Sequence, residues 1–412
     1  MHARIIICIS SMCILWISAG EFKLGVENIP VSLRTHLKEK RIGLITNQTG
    51  KDQRGRGTLE VLRSYGLSIH VLLAPEHGLT GRVQAEHDVA TTIDQKSGLS
   101  VISLYSNGKG KDIQENTLGN LDVLIFDVQD SGMRHYTYIS TLFEVLKAAA
   151  RFHKELIVLD RPNPLGYVME GPLVEPELQS FISSAPIPIR HGMTVGELAS
   201  FFNVHLLKDP ASLYVVPMRN YYRHQTTYMA DTCMLSPNIT TKAACYGYSF
   251  LGLIGEIRPF HTCIGTDNAL QCIMLPTNTV SEARWQQLQN LLRTHHIESE
   301  LYAYSNKQTQ KSYKGLLLSI ADINKVSSWT VFLTTVQFFK DAGVSLQFSP
   351  AFDKAVGTRS VQALVQGTIT HHELHHYISK QLQQFYMQAR PLFMYTPHPI
   401  LSLVSQSGKG FR

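Results

Sequence analysis

From residue 41 onward the chain alternates short, continuously apolar runs with amphipathic stretches. "RIGLIT" (41–46), "IHVLLA" (69–74), "VISLYS" (101–106), "DVLIFDVQ" (122–129) and "ELIVLD" (155–160) read as buried strands. Between them, "TLEVLRSYG" and "STLFEVLKAAARFH" (140–153) space their apolar residues at the helical period. Strands that lack polar alternation and are separated by helices predict a parallel sheet covered on both faces. Beyond residue 236 polar, Thr- and Asn-containing stretches precede mixed strands and helices, ending in "TITHHELHHYISKQLQQFYMQA". The fold class expected is therefore α/β: a Rossmann-like parallel-sheet domain over 20–235, then a smaller α+β domain over 236–397. Residues 398–412 form a tail.

The N-terminus changes the picture of where this domain works. "MHARIIICISSMCILWISAG" places one arginine before an apolar run of roughly 15 residues, too short to span a bilayer, and small residues follow at Ser18-Ala19-Gly20. Residues 1–19 are read as a signal peptide and the mature protein as exported, periplasmic or secreted; an N-terminal anchor or a first strand is the competing reading. Cys8 and Cys13 leave with that segment. Cys233, Cys245, Cys263 and Cys272 remain without C-x-x-C spacing, either as buried thiols or with a disulfide among them. With 412 residues and 44% hydrophobic content the chain can bury a sizeable core. A net charge of +6 without a long Lys/Arg run gives no nucleic-acid footprint.

In open parallel sheets, ligands bind beyond the carboxyl ends of the strands. Thr46-Asn47-Gln48-Thr49-Gly50, Pro75-Glu76-His77-Gly78, Gln129-Asp130-Ser131-Gly132-Met133-Arg134 and Arg161-Pro162-Asn163-Pro164 follow four predicted strands, bringing polar groups to one edge. Glu76, between Pro75 and a His-Gly turn, has the setting of a general acid. Its competing reading is a capping or ion-paired glutamate. Arg134, Arg161 and Arg190 suit an anion, since guanidinium binds carboxylate through two parallel bonds. Structural ion pairs with Asp127 or Asp160 are the alternative.

Two cofactor readings fail. The loop "TNQTGKDQRGRGTLE" has Gly55 and Gly57 but Glu60 where a dinucleotide fingerprint needs its third glycine. His372-Glu373-Leu374-His375-His376 fits H-E-x-x-H of zinc peptidases. Downstream of His376, however, there is no Asp or Glu to complete the site, and Ser379 stands where the extended motif needs glycine. No metal and no cofactor are expected.

Taken together, "GLITNQTG" (43–50), "APEHGLTG" (74–81), "DVLIFDVQDSGMRHYTYIST" (122–141), "VLDRPNPLG" (158–166), "MEGPLVEP" (169–176) and "PIPIRHGMTVGEL" (186–198) resemble the NamZ-type exo-β-N-acetylmuramidases, a peptidoglycan glycosidase family. "LSPNI" (235–239) and "FSPAFDK" (348–354) extend the likeness more weakly. The resemblance implies a cleft between two domains and release of N-acetylmuramic acid from non-reducing ends of peptidoglycan fragments (muropeptides). It implies Glu76 as the leading catalytic residue; His77, which could tune Glu76, and Asp130, one of three candidate second carboxylates with Asp127 and Asp160, are read with it as the catalytic group. Asn47, Gln129, Arg134, Tyr136, Asp160, Arg161, Asn163, Arg190 and His191 would bind substrate, Arg134 and Arg190 taking the lactyl carboxylate. This chain departs from the family at His135, where an aromatic residue is usual. It departs again at "SFLGLIGEIRPFHTCIGTDNA" (249–269), which replaces a Gly-Thr-Asn…Ser-Glu-Gly-Arg-Gly-Thr segment. That second departure supports an alternative, a non-catalytic muropeptide-binding protein on the same fold.

Overall fold

A computed structural model of the chain describes residues 20–401 apart from 84–86, 88–91, 107–108, 111, 226–227, 229–231 and 307–309. The expected signal peptide (1–19) and most of the expected tail lie outside the described residues. Among the described residues no helix is long and apolar enough to cross a membrane.

The first half is built from β1 (Ile42–Thr46), α1 (Thr58–Ser64), β2 (Ile69–Ala74), β3 (Thr92–Ile93), β4 (Ser100–Ser103), β5 (Val123–Asp127), α2 (Tyr138–Arg151), β6 (Glu155–Leu159), α3 (Val195–His205) and β7 (Ser212–Val216). The strands form one sheet in the order β7-β6-β5-β1-β2-β4-β3. All neighbours are parallel except the edge pair β3–β4. β1 and β5 are buried along their whole length, which is why neither alternates polar with apolar residues. "VISLYS" does not run as one strand. Ser103 Oγ donates to the Tyr105 carbonyl (2.7 Å) and accepts from the Tyr105 amide (3.1 Å), and these local bonds end β4 before Leu104.

From β1 the chain builds outward through β2 and β4, then crosses back to place β5 on the other side of β1. The carboxyl ends of β1 and β5 therefore flank the point where winding reverses, the crevice in which doubly wound sheets hold ligands.

The second half holds β8 (Thr232–Ser236), β9 (Ile239–Thr241), α4 (Lys242–Ile254), β10 (Cys272–Pro276), α5 (Glu282–Thr294), β11 (Glu298–Asn306), β12 (Lys311–Ser319), α6 (Ser328–Asp341), α7 (Phe352–Val356) and α8 (His371–Ala389). β10, β12 and β11 form an antiparallel sheet in that order. One apolar core runs through both halves: Phe385 of α8 lies 4.8 Å from Phe201 of α3, ring centre to ring centre. The architecture is the expected α/β sheet followed by an α+β unit.

The H-E-x-x-H stretch opens α8, and the fold assigns its glutamate to local work. Thr370 Oγ1 accepts from the Glu373 amide (3.2 Å), and Glu373 Oε2 accepts from the Thr370 amide (2.7 Å). This reciprocal pair is a capping box, satisfying two helix-end donors. His372 and Glu373 are exposed, and no group of three His, Cys, Asp or Glu among the described residues is placed to hold a metal.

Candidate active site

The polar groups at the strand ends separate into an inner set, which leaves hydrogen-bonding capacity at the crevice, and a supporting set whose bonds are already made. Asn47 follows β1 and is 4% exposed. Its Oδ1 accepts from the Thr49 amide and hydroxyl, whereas its buried Nδ2 has no partner among the described residues. Glu76 follows β2, is 6% exposed, and its Oε2 accepts from Thr137 Oγ1 at 2.5 Å. Thr137 is the N-cap residue of α2, yet its hydroxyl makes no cap bond. It serves the carboxylate instead of the helix.

His77 has left-handed backbone geometry (φ 68°), uncommon for a side chain with a Cβ. Its Nδ1 lies 2.6 Å from the Val83 carbonyl. A carbonyl only accepts, so Nδ1 carries the proton and Nε2 is left as the acceptor of the neutral ring. The ring meets Tyr138 edge-on at 6.5 Å.

Asp130, beyond β5, is 3% exposed. Its Oδ2 accepts from the Gly132 amide (2.6 Å) and faces His191 Nε2 (3.0 Å). His191 Nδ1 accepts from the Met193 amide, which fixes the ring proton on Nε2, pointing at Asp130. Asp130 Oδ1 is buried without a partner among the described residues. Buried polar atoms are nearly always bonded, so unpaired atoms on both sides of the switch point mark where a polar ligand would complete the set. A cavity of about 390 Å³ opens beside this edge, lined by Asn47, Gln48, Lys51, Arg63 and Lys96 among others.

Residues 42–243 match the N-terminal domain of the exo-beta-N-acetylmuramidase NamZ, and residues 246–395 match its C-terminal domain. The chain belongs to the NamZ family. It is 33% identical over 387 residues to the peptidoglycan beta-N-acetylmuramidase NamZ of Bacillus subtilis strain 168, covering 90% of this chain and 91% of that one. Two crystal structures of DUF1343 family proteins from Bacteroides fragilis share the fold. One has a TM-score of 0.81 at 28% identity, the other 0.71 at 25%; each comparison covers 91% of this chain and 99% of the other. The expected class, a glycoside hydrolase acting on peptidoglycan, stands with that membership.

Within this NamZ-family chain the supporting set lies behind the crevice. Tyr136 donates to the Leu235 carbonyl (2.8 Å), which draws the "LSPNI" segment over the site. Gln129 Nε2 donates to the Pro162 and Asp130 carbonyls, and Asn163 Nδ2 to the Met193 carbonyl. Arg161 Nη2 donates to Asp127 Oδ2 (2.9 Å) and to the Lys51 carbonyl, joining β5 to the loop after β1. Asp160 accepts from Thr194 Oγ1 (2.8 Å), the Gly196 amide (2.7 Å) and Tyr395 Oη (2.6 Å). Burial pushes its pKa up to about 6.

The two arginines expected to read a substrate carboxylate are placed differently. Arg134 is 1% exposed, and Nη1 donates to the carbonyls of Pro172 (2.6 Å) and Ile187 (2.7 Å). Nη2 donates to the Val356 carbonyl (2.6 Å) at the end of α7. Gly357 permits that approach: its φ is +87°, and a Cβ there would sit 2.2 Å from Arg134 Nη2. Burial, with no carboxylate partner among the described residues, pulls the Arg134 pKa down to about 9. Arg190, 0% exposed, pairs with Glu170 (2.9 Å) and donates to the Val326, Leu165 and Ile323 carbonyls. Both guanidinium groups tie the first half of the chain to the second. Their Nη donors are engaged by backbone carbonyls and, for Arg190, by Glu170, while Arg190 Nε is buried without a partner among the described residues.

Sequence reasoning did not single out Thr137. The signal was available in "MRHYTYIST", where Thr137 stands three residues ahead of the predicted helix. Nothing local distinguishes a hydroxyl that caps from one that turns to a neighbouring strand.

Proposed function

We propose that this protein removes N-acetylmuramic acid from non-reducing ends of peptidoglycan fragments, with Glu76 protonating the glycosidic oxygen. The observation that carries the reading is a buried carboxylate held by Thr137 at the end of β2, on the same sheet edge as the unpaired Asn47 Nδ2 after β1 and Asp130 Oδ1 after β5. Glu76 gives its proton to the bridging oxygen as the bond to the anomeric carbon breaks. Asp130, oriented by His191, is the second carboxylate. It directs the group that attacks the anomeric carbon, either water or the substrate's own 2-acetamido oxygen. Asn47 and His77 Nε2 supply hydrogen bonds to the sugar.

On a chromogenic muramide, Glu76→Gln lowers kcat by about 10²- to 10⁴-fold, the usual share of general acid catalysis, while the melting temperature holds. Unchanged turnover would remove Glu76 from the mechanism. NMR of the first-formed anomer separates inversion from retention. We also propose export, since peptidoglycan lies outside the cytoplasm; a mature N-terminus at Gly20 supports it, and an uncleaved cytosolic chain overturns it.

A further inference from the structure

The segment between α4 and β10 folds back on itself. His261 and Met274 exchange both backbone hydrogen bonds, each 3.0 Å, as an antiparallel pair. The Leu270 amide donates to the Thr262 carbonyl (2.8 Å), closing the base of the loop that follows. Two residues inward from each member of the His261–Met274 pair stand Cys263 and Cys272. Both are 0% exposed, and with Met274 they form a small buried cluster under Tyr302, Tyr304, Tyr313 and Leu317. The two thiols share this one buried cluster, and the neighbouring Cys272 thiol, opposed by burial and aided by His261, holds the Cys263 thiol below its ordinary range. The His261–Met274 bridge anchors the two arms that carry Cys263 and Cys272, two residues further on each, so packing in one cluster brings together two side chains that a disulfide could join. Cys245 lies elsewhere, its sulfur 3.8 Å from the Ser131 carbonyl.

We propose that Cys263 and Cys272 form a disulfide that staples the loop between them as the chain folds in an oxidising compartment. The oxidant is a disulfide of a small thiol or of an oxidoreductase. The Cys263 thiolate attacks one of its sulfurs and releases one thiol. Cys272 then loses its proton, attacks the Cys263 sulfur of the mixed disulfide and releases the second thiol. One S–S bond is made, one is broken, and the oxidant leaves as two thiols.

The test is mass spectrometry of the full chain, refolded in a mixture of reduced and oxidised glutathione and then denatured in iodoacetamide. The expected result is one cross-linked peptide pair joining Cys263 to Cys272, with Cys245 alkylated, and a melting temperature that falls on reduction. Cys263→Ser abolishes the cross-link and leaves Cys272 open to alkylation. Should that variant fold poorly, Cys263→Ser/Cys272→Ser, whose melting no longer responds to reductant, replaces it. Full alkylation of both cysteines after oxidative refolding, a stable glutathione adduct on either, or pairing of either with Cys233 or Cys245 would overturn the proposal.

Discussion

Replacing Arg190 by methionine separates a clamp from a substrate-binding residue. The substitution keeps an unbranched apolar stem but deletes the cation paired with Glu170, both partners being 0–1% exposed. Among the described residues the Glu170 carboxylate then keeps its bonds from Ser327 Oγ (2.6 Å) and the Ser328 amide (2.8 Å). Breaking a buried ion pair from one side costs about 3–5 kcal/mol, because the remaining charge stays out of water. The Leu165 and Val326 carbonyls also lose a donor, while the Ile323 carbonyl keeps the Val326 amide, and each buried unsatisfied group adds about 1–3 kcal/mol where water cannot enter. A loss of at least about 5 kcal/mol, a large share of the roughly 5–15 kcal/mol that holds a typical domain, is therefore expected. Urea denaturation at 25 °C measures it through a lowered midpoint. Arg190→Met/Glu170→Gln should recover part of the loss, since the stranded charge is gone. If Arg190→Met kept the wild-type midpoint and only raised KM for a muramide, the clamp would be refuted and the substrate reading restored.

Thr137→Val deletes the hydroxyl that donates to Glu76 and should lower kcat about 10-fold with little change in KM, on the scale of one hydrogen bond to a charged group. Thr137→Ser should rescue it; a Ser variant as slow as Val would show that the hydroxyl is irrelevant. Asp160 gives a pH signature of unusual sign. Its pKa is raised to about 6 when folded, above the roughly 3.9 of an unfolded aspartate, so folding favours the protonated form. Its contribution is fully present below about pH 4 and is lost as pH rises through about 6, at most about 3 kcal/mol over that window. Denaturation midpoints against pH should lose this fall in Asp160→Asn, and an unchanged slope would contradict the assignment.

The sheet, the helices between its strands and the polar strand ends along one edge were legible in the sequence alone. Hydrophobic period is a local property: β1 and β5 are apolar throughout because both their faces are covered, and no distant residue is needed to see it. The strand-end motifs were equally legible, and they put Glu76 after β2 and Asp130 after β5, but they did not rank Asp130 above Asp127 or Asp160. What each polar side chain does there was decided only by tertiary structure. An arginine after a strand reads the same whether it meets a ligand or backbone carbonyls. Arg134 finds its acceptor in Val356, 222 positions away in the chain, and Asp160 meets Tyr395 across 235. The same reason explains the cysteines. Their spacing shows no motif, and only the turn that pairs His261 with Met274 brings Cys263 and Cys272 together. Burial strips water from every polar group it encloses, so each must find a donor or acceptor wherever packing provides one. Those partners belong to the packed fold, and local pattern carries no record of them.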